Sequence, residues 1–192
     1  MGGPSTIVLL GLLSLVAAAA IGLLAHANAD APGTHPANLV HPGADGPAAD
    51  VIRRDFPGHG LPDGLGHDGQ MQYAIARQPM HPDAVAPDLD RPRYRLQRIA
   101  FPAMAWLLHP GGGGPGLVTA LFAVGVAAVA AGTFATGALS VRLGGRPWAA
   151  VVFPLVPATY LTLRYSLADS LALAATLGAM ALWLSGRHRW AV

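Results

Sequence analysis

The sequence predicts an all-α membrane protein of about four transmembrane helices, with a long extracytoplasmic loop containing short interfacial helices. Hydrophobic residues fill 53% of the 192 positions and charged residues only 11%, against about 25% charged in an ordinary soluble domain. The mean hydropathy is +0.43. The apolar residues fall into two blocks, roughly 6–27 and 99–186, with a polar stretch rich in Pro, Gly, Asp, His and Arg between them. This divides the chain into an N-terminal transmembrane anchor (1–27), an extracytoplasmic loop with an interfacial helix (28–98), and an interfacial or re-entrant segment followed by three transmembrane helices (99–192).

Charge and cysteine usage exclude several functions. All 12 basic residues are Arg and all 10 acidic ones Asp, for a formal net charge of +2. No basic stripe with interleaved aromatics is present, so no nucleic-acid partner is expected. With no cysteine, disulfides, thiolate catalysis and Cys-based metal sites are ruled out.

The first element, Thr6 to Ala27, is uncharged and, at 1.5 Å per residue, long enough to cross a hydrocarbon core of ~30 Å. Ala25-His26-Ala27 and Ala27-Asn28-Ala29 both fit a small-x-small cleavage pattern. The apolar run is longer than a signal-peptide core and no Arg precedes it, which favours a retained anchor over a cleaved signal. Residues 28–65 carry Pro32, Pro36, Pro42, Pro47, Pro57 and Pro62, which leave no room for a long helix. The Pro-free run from Asp68 to Arg77 predicts a short helix at the membrane interface, ended by Pro79.

Asp88 to Arg98 is densely charged. Ile99 to Leu108 is apolar but too short to span, and therefore interfacial or re-entrant. Leu117 to Val141 is an uncharged membrane helix, Pro147 to Leu163 a second one bent at Pro154 and Pro157, and Ser170 to Ser185 the last. If the first helix leaves the cytoplasm and 99–108 does not cross, Arg142, Arg146, Arg187 and Arg189 all fall inside, as the positive-inside rule requires. Both termini are then cytoplasmic and 28–98 extracytoplasmic, in a multi-pass cell-membrane protein.

Chemistry is concentrated in Gly66-His67-Asp68-Gly69-Gln70. The flanking glycines permit backbone conformations that aim Asp68 into a cleft, with His67 and Gln70 as polar partners. Such a carboxylate takes a proton from an acceptor hydroxyl or holds a divalent cation; equally, Asp68 is a natural cap for the helix that follows. Asp169 falls on the same membrane face. A carboxylate near a membrane helix end faces a polar cavity or a partner, for which Arg164 is available, or else caps the helix in the headgroup region. Arg91, Arg93, Arg95 and Arg98 suit a phosphate or anionic lipid headgroups. The histidines are scattered without metal-ligand spacing, so no dedicated metal site is expected. The phosphate-loop, dinucleotide and Gly-x-Ser-x-Gly motifs are missing, and Gly111–Gly114 is a hinge.

Three segments, "GHDGQMQYAIARQP" (66–79), "LDRPRYRLQRIAFPAMAWLL" (89–108) and "TLRYSLADSLALAATLGAMALWL" (162–184), resemble the N-terminal half of bacterial integral membrane proteins of the glycosyltransferase C superfamily, in the group similar to GPI mannosyltransferase II. The resemblance implies a polyprenyl-phosphate sugar donor and Asp68 as the base acting on an acceptor hydroxyl in one inverting displacement. It further implies that Arg95 and Arg98 hold the lipid phosphate and that Asp169, in a Tyr-Ser-Leu-Ala-Asp-Ser segment, stands near the same cavity. Members of that superfamily usually have eight or more membrane helices against about four here, which implies part of a longer protein or a subunit needing a partner membrane subunit. The competing expectation is a non-enzymatic multi-pass membrane protein whose exterior loop binds a partner or cations.

Overall fold

The computed structural model describes residues 4–29 and 35–186. Arg187 and Arg189, used in the topology argument, lie outside the described residues. The described residues are helical and contain no strand: α1 (Pro4–Ala29), α2 (Ala49–Asp55), α3 (Gly69–Arg77), α4 (Pro82–Val85), α5 (Pro92–Leu96), α6 (Ala100–Leu108), α7 (Gly114–Arg142), α8 (Val152–Leu155), α9 (Pro157–Arg164) and α10 (Asp169–Trp183), with 3-10 turns at Pro36–Val40, Ala86–Asp88 and Pro147–Val151.

Two helices, Ser5–Ala25 within α1 and Gly114–Arg142, are long and apolar enough to cross a membrane. The first is only 22% buried within the protein, and it leaves Ile7, Val8, Leu12, Leu15, Val16 and Leu23 exposed. That much bare aliphatic surface on one helix suits hydrocarbon rather than water.

The run expected to form one bent helix over 147–163 is instead three pieces. Pro157 disfavours helical geometry at the residue before it, and Val156 accordingly adopts an extended backbone (φ −67°, ψ 121°) between α8 and α9. The last helix has 15 residues, a length of about 22 Å. The proline-rich 28–65 stretch is also less irregular than expected, because the gap between Pro47 and Pro57 admits the seven-residue α2.

The chain forms two compact units. One comprises residues 1–25, 125–162 and 169–192; the other comprises 26–124 and 163–168. In the first, α1, the C-terminal part of α7 and the segment after it meet through small residues. Gly22 lies beside Val126, Gly137 beside Leu10 and Ala150, and Gly132 beneath the Phe153 ring. Glycine permits this close approach, as is usual between membrane helices.

The second unit is organised around α3. That helix is enclosed by the protein, with Gly69 to Ala76 all buried. Met71, Ala74 and Ile75 pack with Ala48, Val85 and Leu89, and Leu96 and Ile99 close over them. A helix buried on every side must satisfy polar side chains internally, and α3 carries Gln70, Gln72 and Tyr73 into the interior. Tyr73 Oη donates to Asp55 Oδ2 (2.5 Å) and accepts from Gly114 N (2.5 Å). Asp55 also pairs with Arg77 Nε at 2.9 Å. α6 tolerates Pro102 because it sits in the first turn, where no helical donor is lost. Phe101 and Ala105 face inward, while Met104, Leu107 and Leu108 are exposed.

Candidate functional site

Asp68 occupies the cap position of α3, yet its side chain makes no capping bond. Its carbonyl accepts from Met71 N and Gln72 N, at 3.0 and 3.1 Å. The carboxylate instead receives Arg95 Nη1 at 2.5 Å on Oδ2. Arg95, from α5, is held from the other side by Asp90, through Nε to Oδ1 (2.8 Å) and Nη2 to Oδ2 (3.0 Å). The two-point geometry matches a guanidinium fork to a carboxylate. The Arg95 side chain is 9% exposed and those of Asp68 and Asp90 are 43% and 40% exposed. One guanidinium between two carboxylates leaves the cluster with one net negative charge on its outer side.

The electrostatics follow from this geometry. Hydrogen bonding from Arg95 holds the Asp90 carboxyl below its ordinary range. The bonds to Asp90, and then to Asp68, raise the Arg95 guanidinium further above its already high value. An arginine so engaged is a strut. Three of the five guanidinium N–H groups of Arg95 are directed at carboxylates, which leaves fewer of them for the lipid phosphate that the resemblance implied.

The glycines around Asp68 serve backbone approach rather than aiming the side chain. A Cβ on Gly69 would run into the carbonyl oxygens of Tyr165 and Val40, and Gly66, at φ +66°, is crowded by Gly43 and the Gln70 amide. Gln70 is an internal anchor: it is 1% exposed and its Nε2 donates to Leu65 O at 2.6 Å. Its Oε1 is buried with no partner among the described residues.

His67 joins a ring stack. It lies nearly parallel to Tyr165, with centroids 4.6 Å apart, and both tilt against His41, at 4.9 Å and 4.6 Å. Burial, then the neighbouring His67 and Arg164, lower His41 to about 4. Arg164 lies over the Tyr165 ring (6.0 Å) and donates Nη1 to Asn38 O (3.1 Å), while Ser166 Oγ donates to Leu39 O (2.9 Å). The link at 163–168 is thereby tied to the turn at 36–41.

Arg98 donates Nη2 to Tyr94 Oη (2.5 Å) and stacks on its ring at 4.9 Å. Asp169 is the exposed first residue of α10, in the other unit. There its charge complements the helix dipole. Asp55, Tyr73 and His41 carry interactions that no local pattern announces. Asp90 stands out in sequence only as a neutralising neighbour of the arginines. Among the described residues no three His or Asp side chains converge as metal ligands.

No family model matches the chain, and no curated protein or solved structure matches it either.

Proposed function

We propose that the chain is a membrane glycosyltransferase, or the N-terminal part of one, that transfers a sugar from a polyprenyl-phosphate donor to an acceptor hydroxyl on the extracytoplasmic face. The observation that carries this reading is the state of Asp68. Its carboxylate is excused from helix capping, positioned through one oxygen by a buried arginine, and still nearly half exposed. In the reaction Asp68 accepts the acceptor hydroxyl proton while that oxygen attacks the anomeric carbon. The bond from that carbon to the phosphate oxygen breaks with inversion, and the polyprenyl phosphate leaves with the electron pair. Arg95 and Asp90 are positioning residues. Arg98, outside the clamp, replaces Arg95 as the donor-phosphate residue. Arg164 and His67 contribute to the polar surroundings, and Gln70 fixes the loop behind Asp68. The proposed topology has four spans, the third made by 147–163 and the fourth by 170–185, with both termini cytoplasmic and 28–98 outside.

Asp68→Asn preserves shape and removes the base. Membranes containing the variant are expected to lose transfer from a polyprenyl-phosphate sugar while the protein accumulates normally, and unchanged transfer would end the reading. A second reading is favoured by the Arg95 bridge itself. In a non-enzymatic multi-pass protein, Asp68, Arg95 and Asp90 form a clamp that closes the exterior loop for a partner. Under that reading Asp68→Asn lowers thermal stability, and no sugar transfer depends on the chain.

A further inference from the structure

The first unit holds a cavity of about 770 Å³ between α1, α7 and α10. Its walls are mostly apolar and mix small with large side chains: Ala135 and Phe134 on α7, Gly178 and Ala181 on α10, and Leu10 on α1 line it. Small side chains let the helices meet elsewhere in this unit, but here they leave a space that the described residues do not fill. A Cβ built on Gly178 meets nothing within 4 Å. Water is a poor occupant, because a buried water needs two to four polar partners. The polar members of the lining are the Thr6 hydroxyl and the Arg142 guanidinium.

Arg142 decides the occupant. It is exposed, it ends α7, and it belongs to the cavity lining. From Ala131, the deepest α7 position in the lining, to Arg142 is a rise of about 16 Å, half of a hydrocarbon core of ~30 Å. A groove one leaflet deep, apolar along its length with a cation at the headgroup end, has the polarity of a single anionic lipid. A second copy docking here through a symmetric contact would bring two Arg142 side chains toward one another, which costs energy.

We propose that this groove seats one acyl chain of an anionic phospholipid, whose phosphate pairs with Arg142. Basic pockets between membrane helices are a general means of selecting anionic headgroups. The site is separate from the glycosyl-transfer reading and does not depend on it. Because α1 supplies Thr6, Ile7 and Leu10, the site exists only in a chain that keeps its first helix.

The test uses the full chain in bilayer nanodiscs of equal parts phosphatidylcholine and phosphatidylglycerol, with the retained lipid read by native mass spectrometry. Wild-type protein is expected to retain one phosphatidylglycerol in preference to phosphatidylcholine. Arg142→Gln, at an exposed position, should reduce that preference roughly fivefold, the contribution of one Arg near a lipid headgroup. Gly178→Leu fills the groove and should reduce retention of both lipids, with helicity checked by circular dichroism. Because the sequence contains no cysteine, Gly178→Cys is a unique reporter, and its expected state in bilayers is monomeric under oxidation. Equal retention of the two lipids by wild type would overturn the proposal, as would lipid retention unaffected by Gly178→Leu in a helical protein. Displacement of phosphatidylglycerol by a polyprenyl phosphate, or a disulfide-linked Gly178→Cys dimer, would assign the groove to an isoprenoid or a second copy instead.

Discussion

Arg95 donates to Asp68 across a separation of 27 residues, joining the start of the buried helix α3 to the charged segment that precedes α6. The same guanidinium grips Asp90 five residues upstream of it in sequence. The pairing converts a loop carboxylate into an oriented group while leaving much of its surface open. Orientation and accessibility are the two things a base acting on a hydroxyl needs.

Replacing Arg95 by Gln should destabilise the second unit by about 2 kcal/mol, since hydrogen bonds to charged groups contribute ~1.5–3 kcal/mol and the partners are partly solvated. Arg95→Lys keeps a charge but loses the fork, and should recover less than half of that loss. Limited proteolysis of 78–98, alongside thermal unfolding in detergent, reads the change. If Asp68 is the base, Arg95→Lys also lowers transfer by more than the loss of folded protein explains.

The second prediction concerns acid. His41 in the folded chain is lowered to about 4 from an ordinary value near 6.5, so the unfolded chain binds a proton first as pH falls. The contribution is present in full above pH 6.5 and drains away as the pH drops through about 4. Thermal midpoints measured across that window should fall with acidification, and His41→Asn should flatten the slope. Asn is the appropriate replacement because His41 has φ 50°, a left-handed conformation that Asn tolerates. A slope identical in the two proteins would remove His41 as the source.

Much of this architecture was legible in the sequence, and the shortfall has physical causes. Long uncharged runs name α1 and α7 directly, because helix length and apolarity are local properties. Asp68 was conspicuous because a charged residue between glycines in an apolar chain is rare. The burial of α3 was not legible, because the partners of Gln70 and Tyr73, which are Leu65, Asp55 and Gly114, come from elsewhere in the chain. The fate of Arg95 was equally hidden, since four arginines in alternation look equivalent and only tertiary placement singles out the one between two carboxylates. The breaks within 147–163 were half-visible through Pro154 and Pro157, but composition alone does not reveal that Val156 leaves the helix.

Glycine positions supply a third test with an internal control. Gly69→Ala drives a methyl group against two backbone carbonyls, those of Tyr165 and Val40, and neither is a flexible side-chain end that can swing away. A loss of about 3 kcal/mol is expected, at the upper end of overpacking costs. Gly178→Ala meets open space inside a helix and should be neutral or stabilising by up to about 1 kcal/mol. Comparable destabilisation by both substitutions, in parallel thermal melts, would contradict the packing described for α3.

Tyr73→Phe isolates the buried network of the second unit. The hydroxyl both donates to Asp55 and accepts from the Gly114 backbone, so its removal costs two bonds at once. Asp55 keeps Arg77 at 2.9 Å, whereas the Gly114 N–H, at the start of α7, loses the partner it has in the structure. An unpaired buried donor costs ~1–3 kcal/mol, and the penalty falls at the start of the long apolar helix α7. The variant is expected to unfold about 2 kcal/mol more easily, and amide exchange at Gly114 should accelerate more than exchange in the middle of α3. Burial, together with the bond to Asp55, also raises the Tyr73 hydroxyl above its ordinary value. Ultraviolet titration of the wild type against Tyr73→Phe should therefore show Tyr73 ionising above the ordinary tyrosine range. Ionisation of Tyr73 at the ordinary tyrosine value in the folded protein would refute the burial of this hydroxyl.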